Sequence, residues 1–230
     1  MKRILTLAMA MAMGAAAYGQ YAFNGTNSAI NEAIPDNNPS GVANTMTVPT
    51  LAAEIGSVTV TLDISGGYNG DLYAYLAGPN GGFAVLLNRS GVSGSSAYGY
   101  GDSGFNVTFD DSGSNPDIHF YQNTGYPGSL NGSGQLTGTW GSDGENLNPQ
   151  SPPGSFGVSP TETLTSFDGI DGTDAGGQWT LFLADLSAGN QSTLVSWSVD
   201  INTVPEPSAL ALGALGVLVL AGVRKKIAGR

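Results

Sequence analysis

From Val58 to Ile64 the chain reads Val-Thr-Val-Thr-Leu-Asp-Ile, apolar and polar residues alternating without a fault. A period of two puts Val58, Val60, Leu62 and Ile64 on one face of an extended segment and Thr59, Thr61 and Asp63 on the other. The same alternation returns over Asp71–Leu76, where Leu72, Ala74 and Leu76 oppose Tyr73 and Tyr75. It returns again with Phe105, Val107 and Phe109, with Trp179, Leu181 and Leu183, and with Val195, Trp197, Val199 and Ile201. Phe83–Leu87 is a short apolar run. Turn-forming clusters separate these segments: Gly66-Gly-Tyr-Asn-Gly70, Gly78-Pro-Asn-Gly-Gly82 and Asp111-Ser-Gly113. Short alternating strands with Gly, Pro and Asn between them predict an all-β chain built as an antiparallel β-sandwich. Trp179 and Trp197 are its expected core anchors, each burying ~150–250 Å². Residues 91–104 read as a surface loop. Residues 115–160 read as long loops with two short strands; a loop of that length is either functional or a sign that elements within it are misread.

The two ends differ from this body. Lys2 and Arg3, then an apolar stretch from Ile4 to Met13, then Ala15-Ala16-Ala17 have the layout of a secretory signal peptide over residues 1–19, with cleavage after Ala17 or Gly19. A membrane anchor or buried helix is the alternative, but the run is short for a span. At the other end, Pro205-Glu206-Pro207 precedes an apolar run from Ala209 to Val223 and the basic cluster Arg224-Lys225-Lys226. As a helix that run reaches only ~22 Å, against a hydrocarbon core of ~30 Å. Basic residues stay on the cytoplasmic side, so the body before them lies outside. An ordinary single-pass anchor is the alternative to a temporary hold in the inner membrane.

Residues 20–203 form one domain. Of the 18 acids in the chain only Glu206 lies outside this region, and of the 7 bases only Arg89 lies inside it, which leaves it near −16 against −11 for the whole chain. Such a body repels nucleic acid and anionic lipid. The chain has no cysteine, which excludes thiolate chemistry and Cys-based zinc sites. It has one histidine, His119, within Ile118-His-Phe-Tyr121. That stretch reads as a strand and the histidine as exposed or at a sheet edge. There is no Gly-x-Ser-x-Gly elbow and no phosphate-cradling glycine loop, so no catalytic residue is assigned.

Calcium is the ligand these residues suit best. Hard cations take six to eight oxygens from carboxylates, carbonyls and amides. Three acidic, glycine-bearing loops offer them: Asn69-Gly-Asp71, Asp110-Asp111-Ser-Gly113, and Asp168-Gly-Ile-Asp171-Gly-Thr-Asp174. The alternative is that these aspartates cap turns through the local backbone. Tyr73 and Tyr75 face outward by alternation, and such rings in a base-poor surface suit stacking on the sugars of an exopolysaccharide.

Two resemblances extend this reading. Pro205, Glu206 and Pro207, the apolar run, and Arg224, Lys225 and Lys226 together resemble a PEP-CTERM sorting signal over residues 204–230. The resemblance implies processing by an exosortase-type membrane peptidase of a Gram-negative bacterium. It also implies delivery to the cell surface, outer envelope or extracellular matrix. Within the body, Ile34-Pro-Asp-Asn-Asn-Pro-Ser-Gly-Val42, Tyr68-Asn-Gly-Asp-Leu72, Leu76-Ala-Gly-Pro-Asn-Gly81, Phe109-Asp-Asp-Ser112, Ser166-Phe-Asp-Gly169 and Gly177-Gln-Trp-Thr-Leu181, with Asp185 and Trp197, occur in order. This set resembles the P domain, or Homo B domain, of kexin- and furin-like proprotein convertases. The resemblance implies a jelly-roll β-sandwich that accompanies calcium. Two features depart from it: no subtilisin-like catalytic domain is present, and Ser192-Thr-Leu194 stands where a Gly-x-Leu pattern is expected. The expected role is adhesive or structural. A carbohydrate-binding module, or an accessory domain for a separate subtilisin-like protease, is the alternative.

Overall fold

The computed structural model describes residues 21–123 and 129–204. Eleven strands are described: β1 (Tyr21–Asn27), β2 (Glu32–Ile34), β3 (Asn38–Val48), β4 (Ile55–Gly66), β5 (Leu72–Ala77), β6 (Phe83–Asn88), β7 (Gly104–Asp110), β8 (Ser129–Leu130), β9 (Leu136–Trp140), β10 (Gly177–Asp185) and β11 (Ser192–Thr203). The α-helix among these residues is one four-residue turn, α1 (Gly172–Ala175). The strands form two sheets. The larger runs β1-β11-β4-β7-β9-β8, with β2 also paired to β11; the smaller runs β3-β10-β5-β6. The chain passes repeatedly from one sheet to the other, and the sandwich expected from the alternation is the fold observed.

The alternation sets the core. In β4, Ile55, Val58, Val60, Leu62 and Ile64 are all buried. Across the larger sheet Val199, Val60, Phe109 and Trp140 lie in one row, each opposite the next in register. Leu72, Ala74 and Leu76 of β5 and Trp179, Leu181 and Leu183 of β10 face them from the smaller sheet. Every buried tryptophan finds an acceptor for its indole N–H, as a buried polar tip requires. Trp179 donates to Ala175 O at 2.9 Å, Trp140 to Thr137 O at 3.1 Å, and Trp197 to Asn44 Oδ1 at 2.8 Å. The last of these joins the two sheets, since Asn44 lies in β3.

Three expectations are corrected. The pair β7/β9 is parallel, because β9 is reached by a long excursion rather than a hairpin. Val195 does not join the inward row: the register of β11 shifts between Leu194 and Ser196, so Leu194 is buried and Val195 only half-buried. His119 lies in a 3-10 turn (Ile118–Phe120), wholly buried, not on a strand or at an edge. Two short strands, β8 and β9, do fall within residues 115–160. The signal segment (1–19) and the residues from Pro205 onward lie outside the described residues. Among the described residues no helix is long and apolar enough to cross a membrane.

Candidate functional site

A set of ionisable groups gathers beside the end of β6. Asp117 caps the 3-10 turn by accepting the N–H of His119 at 2.8 Å, which fixes where the imidazole leaves the backbone. The segment Ser142–Glu145 runs along β6, with the N–H of Asp143 on Leu86 O at 3.2 Å and that of Gly144 on Val85 O at 2.9 Å. This places the Asp143 carboxylate under the N–H of Asn88, at 3.1 Å. His119 Nδ1 then lies 2.9 Å from Asp143 Oδ2, and Nε2 lies 3.0 Å from Val92 O. Phe120 and Phe156 wall the ring, at 4.8 and 6.4 Å between centroids. Glu145 completes the group, its carbonyl accepting from Asn88 Nδ2 at 3.0 Å. His119, Asp143 and Glu145 are each 0% exposed.

The electrostatics are those of buried ionisable groups. Burial opposes charge on His119, but the hydrogen bond to Asp143 and its charge prevail, and the imidazole is pushed up to about 9. Asp117 is pushed up to about 7, chiefly by burial and then by the charge of Asp143. Burial, with the charge of Asp143, also raises Glu145; the positive charge of His119 and the nearby N–H groups of Gly157 and Val158 oppose this. His119 and Asp143 have the geometry of a catalytic dyad, but Nε2 faces a carbonyl oxygen rather than a hydroxyl. Among the described residues no nucleophile stands at that nitrogen.

A second group of acids lies near a surface cavity. Asp71 ends a 3-10 turn (Asn69–Asp71), Asp185 ends β10, and Asp36 sits between β2 and β3. Asp71 borders a cavity of about 280 Å³ lined also by Tyr68, Tyr98, Tyr100 and Ser187. Asp185 is buried and its Oδ2 has no hydrogen-bond partner. Burial pushes Asp185 up to about 6, with the charges of Asp71 and Asp36 adding to it. Burial also raises Asp71, against the hydrogen bond of Ser187 and the charge of Arg89. Arg89 donates from Nε to Gly70 O at 3.3 Å and stands 6.0 Å from the centre of the Phe156 ring.

The remaining predicted calcium residues are dispersed. Asp110 accepts from the N–H and hydroxyl of Ser112, and Asp171 from those of Thr173. Asp111 accepts from the N–H and hydroxyl of Ser142 and from the N–H of Leu164. Burial and the charge of Asp111 raise Asp168. Asp174 is exposed on α1. Of the six predicted aspartates, only Asp71 borders the cavity described above; Asp36 and Asp185 lie close enough for the charges to interact but do not line it. Tyr73 and Tyr75 face outward, half-buried, with Tyr75 stacked on Phe182 at 4.8 Å and packed on Phe83 at 4.9 Å. Burial pushes the Tyr73 phenol up to about 12. The sorting residues Pro205, Glu206, Pro207, Arg224, Lys225 and Lys226 lie outside the described residues.

Sequence reasoning misses Asp143, Glu145 and the burial of His119. They meet only through β6, and no local spacing announces that. Asp36 and Asp185 belong to the resemblance but not to the predicted ligand set.

The body is thus an all-β sandwich with a sealed cluster and a surface cavity bordered by Asp71. Residues 203–226 match the PEP-CTERM protein-sorting motif. The match begins on the last residue of β11, and such a signal implies export and sorting through an exosortase. No curated protein matches the chain. Among the solved structures similar to it are two from one bacterium. One is a serine protease of Aeromonas sobria, 15% identical over 79% of this chain with a TM-score of 0.40. The other is the complex of the Aeromonas sobria serine protease with the chaperone ORF2, 16% identical over 80% of this chain, also with a TM-score of 0.40. The chain covers 26% of the matched chain in each, about a quarter of its length.

Proposed function

We propose that this chain is an exported, non-catalytic β-sandwich of P-domain type, delivered by its PEP-CTERM signal to the cell envelope or extracellular matrix for an adhesive or structural role. One observation carries the reading: the sorting motif begins at Thr203, where the sandwich ends, so the sandwich itself is the cargo. The P-domain assignment rests on the ordered motifs, several of which fall at structural junctions. Tyr68–Leu72 forms the turn into β5, and Gly177–Leu181 opens β10. For calcium we favour the neighbourhood of Asp71, where the charges of Asp71 and Asp36 bear on Asp185 and a cation would give Asp185 Oδ2 a partner.

Mass spectrometry of the protein from cells with and without the exosortase tests the sorting claim. Loss of the residues after the Pro205–Pro207 region, only where the peptidase is present, is the expected result; a finished protein that keeps its apolar tail sinks it. For calcium, thermal melts of the full chain are compared in millimolar calcium and in chelator. Binding to the folded state alone raises the midpoint. An unmoved midpoint removes calcium from the reading. A second reading, recognition of exopolysaccharide, is favoured by the ring cluster of Tyr73, Tyr75, Phe83 and Phe182 on the outer face of the smaller sheet. Glycan pull-down that survives Tyr73→Ala and Tyr75→Ala together counts against it.

A further inference from the structure

Nothing in the sorting or adhesive reading uses the sealed cluster beside β6, yet its geometry is that of a ligand set. His119, Asp143 and Glu145 each present a ligating atom within 4.8 Å of the others. They arrive from the 3-10 turn (Ile118–Phe120) and from the strip alongside β6, so the proximity is made by the fold. The decisive observation concerns Glu145. Both its carboxylate oxygens are buried and neither has a partner at ordinary hydrogen-bond geometry, the nearby N–H groups of Gly157 and Val158 opposing the effect of burial only in part. A buried carboxylate is ordinarily paired, hydrogen-bonded or bound to a metal. Asn88 Oδ1, also buried, has no partner either.

His119 supplies the second half of the argument. Nε2 faces the carbonyl oxygen of Val92, a group that can only accept, so Nε2 carries its hydrogen. Nδ1 is therefore the nitrogen turned toward the carboxylates. A ring with one nitrogen donating to a backbone carbonyl and the other facing anionic oxygens is oriented as metal-bound imidazoles are. We propose that His119 Nδ1, Asp143 and Glu145 form a closed binding site for one divalent first-row transition metal ion, for which zinc is the probe.

The donor chemistry selects that class. An imidazole nitrogen draws zinc and its neighbours over magnesium and calcium. Two carboxylates neutralise the dication, so the occupied site carries no net charge into the interior. Ligands of tetrahedral zinc lie about 3.4 Å apart; the 2.9 Å contact between Nδ1 and Asp143 would open slightly and separations of up to 4.8 Å would close toward that value. The three residues supply three of the four ligands of tetrahedral zinc, and because all three are sealed the fourth position is out of reach of a substrate, so the ion is structural. It would tie the end of β6, the 3-10 turn and the Ser142–Glu145 strip together. The site is separate from the cavity beside Asp71 and independent of calcium there. The competing arrangement puts protons where the metal would be: an imidazolium between Val92 and Asp143, with Glu145 protonated.

One experiment separates the two. The full chain, labelled with nitrogen-15 at histidine and purified in detergent with chelator, is titrated with zinc, and the imidazole resonances are followed. His119 is the chain's one histidine, so the signals need no assignment. One equivalent of zinc should shift Nδ1 to a coordinated value while Nε2 keeps its proton, and metal analysis after dialysis should find about one zinc per chain. Glu145→Gln mimics the protonated side chain, so it keeps the metal-free fold. It should weaken zinc binding at least 100-fold, beyond the loss of an outer-shell partner. A doubly protonated ring that ignores millimolar zinc overturns the proposal. So does zinc uptake equal in the Glu145→Gln chain.

Discussion

At the scale of single residues, what distinguishes this interior is how its polar groups are held. Asp111 draws Ser142 and Leu164 onto one carboxylate, so three distant segments meet at a side chain. Asp111→Ala should lose about 3 kcal/mol or more of unfolding free energy, since hydrogen bonds to a charged group contribute about 1.5–3 kcal/mol. Asp110→Ala, which frees only the local Ser112 turn, should cost less than about 1 kcal/mol. Denaturant titration of both variants checks the contrast. Asp185 gives a pH signature. Its folded pKa of about 6 lies above the ordinary value, so between about pH 4 and pH 6 the folded chain holds the extra proton. Stability contributed by that protonation is complete below about pH 4 and is lost as pH rises through about 6. Asp185→Asn should flatten the slope, read from melts in chelator between pH 4 and 7. These residues also mark the limit of the sequence. Asp110 and Asp171 are legible as turn caps, because their partners lie two residues on. His119, Asp143 and Glu145 are not, because what joins them is contact across β6.

At the scale of elements, legibility tracks the clarity of alternation. β4, β5, β7 and β10 can be read because one face of each is apolar without interruption. β1 and β3 cannot: Asn, Gly and Thr fill much of both, and β3 lies at a sheet edge where fewer positions are buried. Their assignment depends on what β10 and β11 offer them. The bulge in β11 is invisible for a related reason, since either Leu194 or Val195 satisfies the pattern and the ladder decides. Joints between elements carry strict requirements. Gly104 opens β7 at φ +101°, and a Cβ there would stand 2.1 Å from Ile64 O. Asn69 clasps the same residue, accepting from its N–H at 2.7 Å and donating to its carbonyl at 3.2 Å. Gly104→Ala should therefore destabilise by at least about 2 kcal/mol, through strain and displaced backbone together. A denaturation midpoint within error of the parent would contradict this account. Asn44→Ala, which strips the acceptor from the indole of Trp197 between the sheets, should cost about 1–3 kcal/mol in the same assay.

At the scale of the whole molecule, the junction at Thr203 governs behaviour. The sorting motif begins on Thr203, the last residue of β11; Val204 follows, exposed, and its N–H bonds Glu54 O at 3.0 Å. Inserting a short Gly/Ser spacer after Val204 should move the melting midpoint by no more than about 2–4 °C, the equivalent of about 1 kcal/mol. A larger drop would show that the sandwich depends on the tail for its stability. β11 is not an edge: it runs between β1 and β4 along most of its length, antiparallel to both. Tension applied through the tail therefore acts along that strand. Two ladders must yield in shear at once, rather than open one rung after another as a peeled margin would. A load that enters at this point is shared by two ladders instead of falling on one.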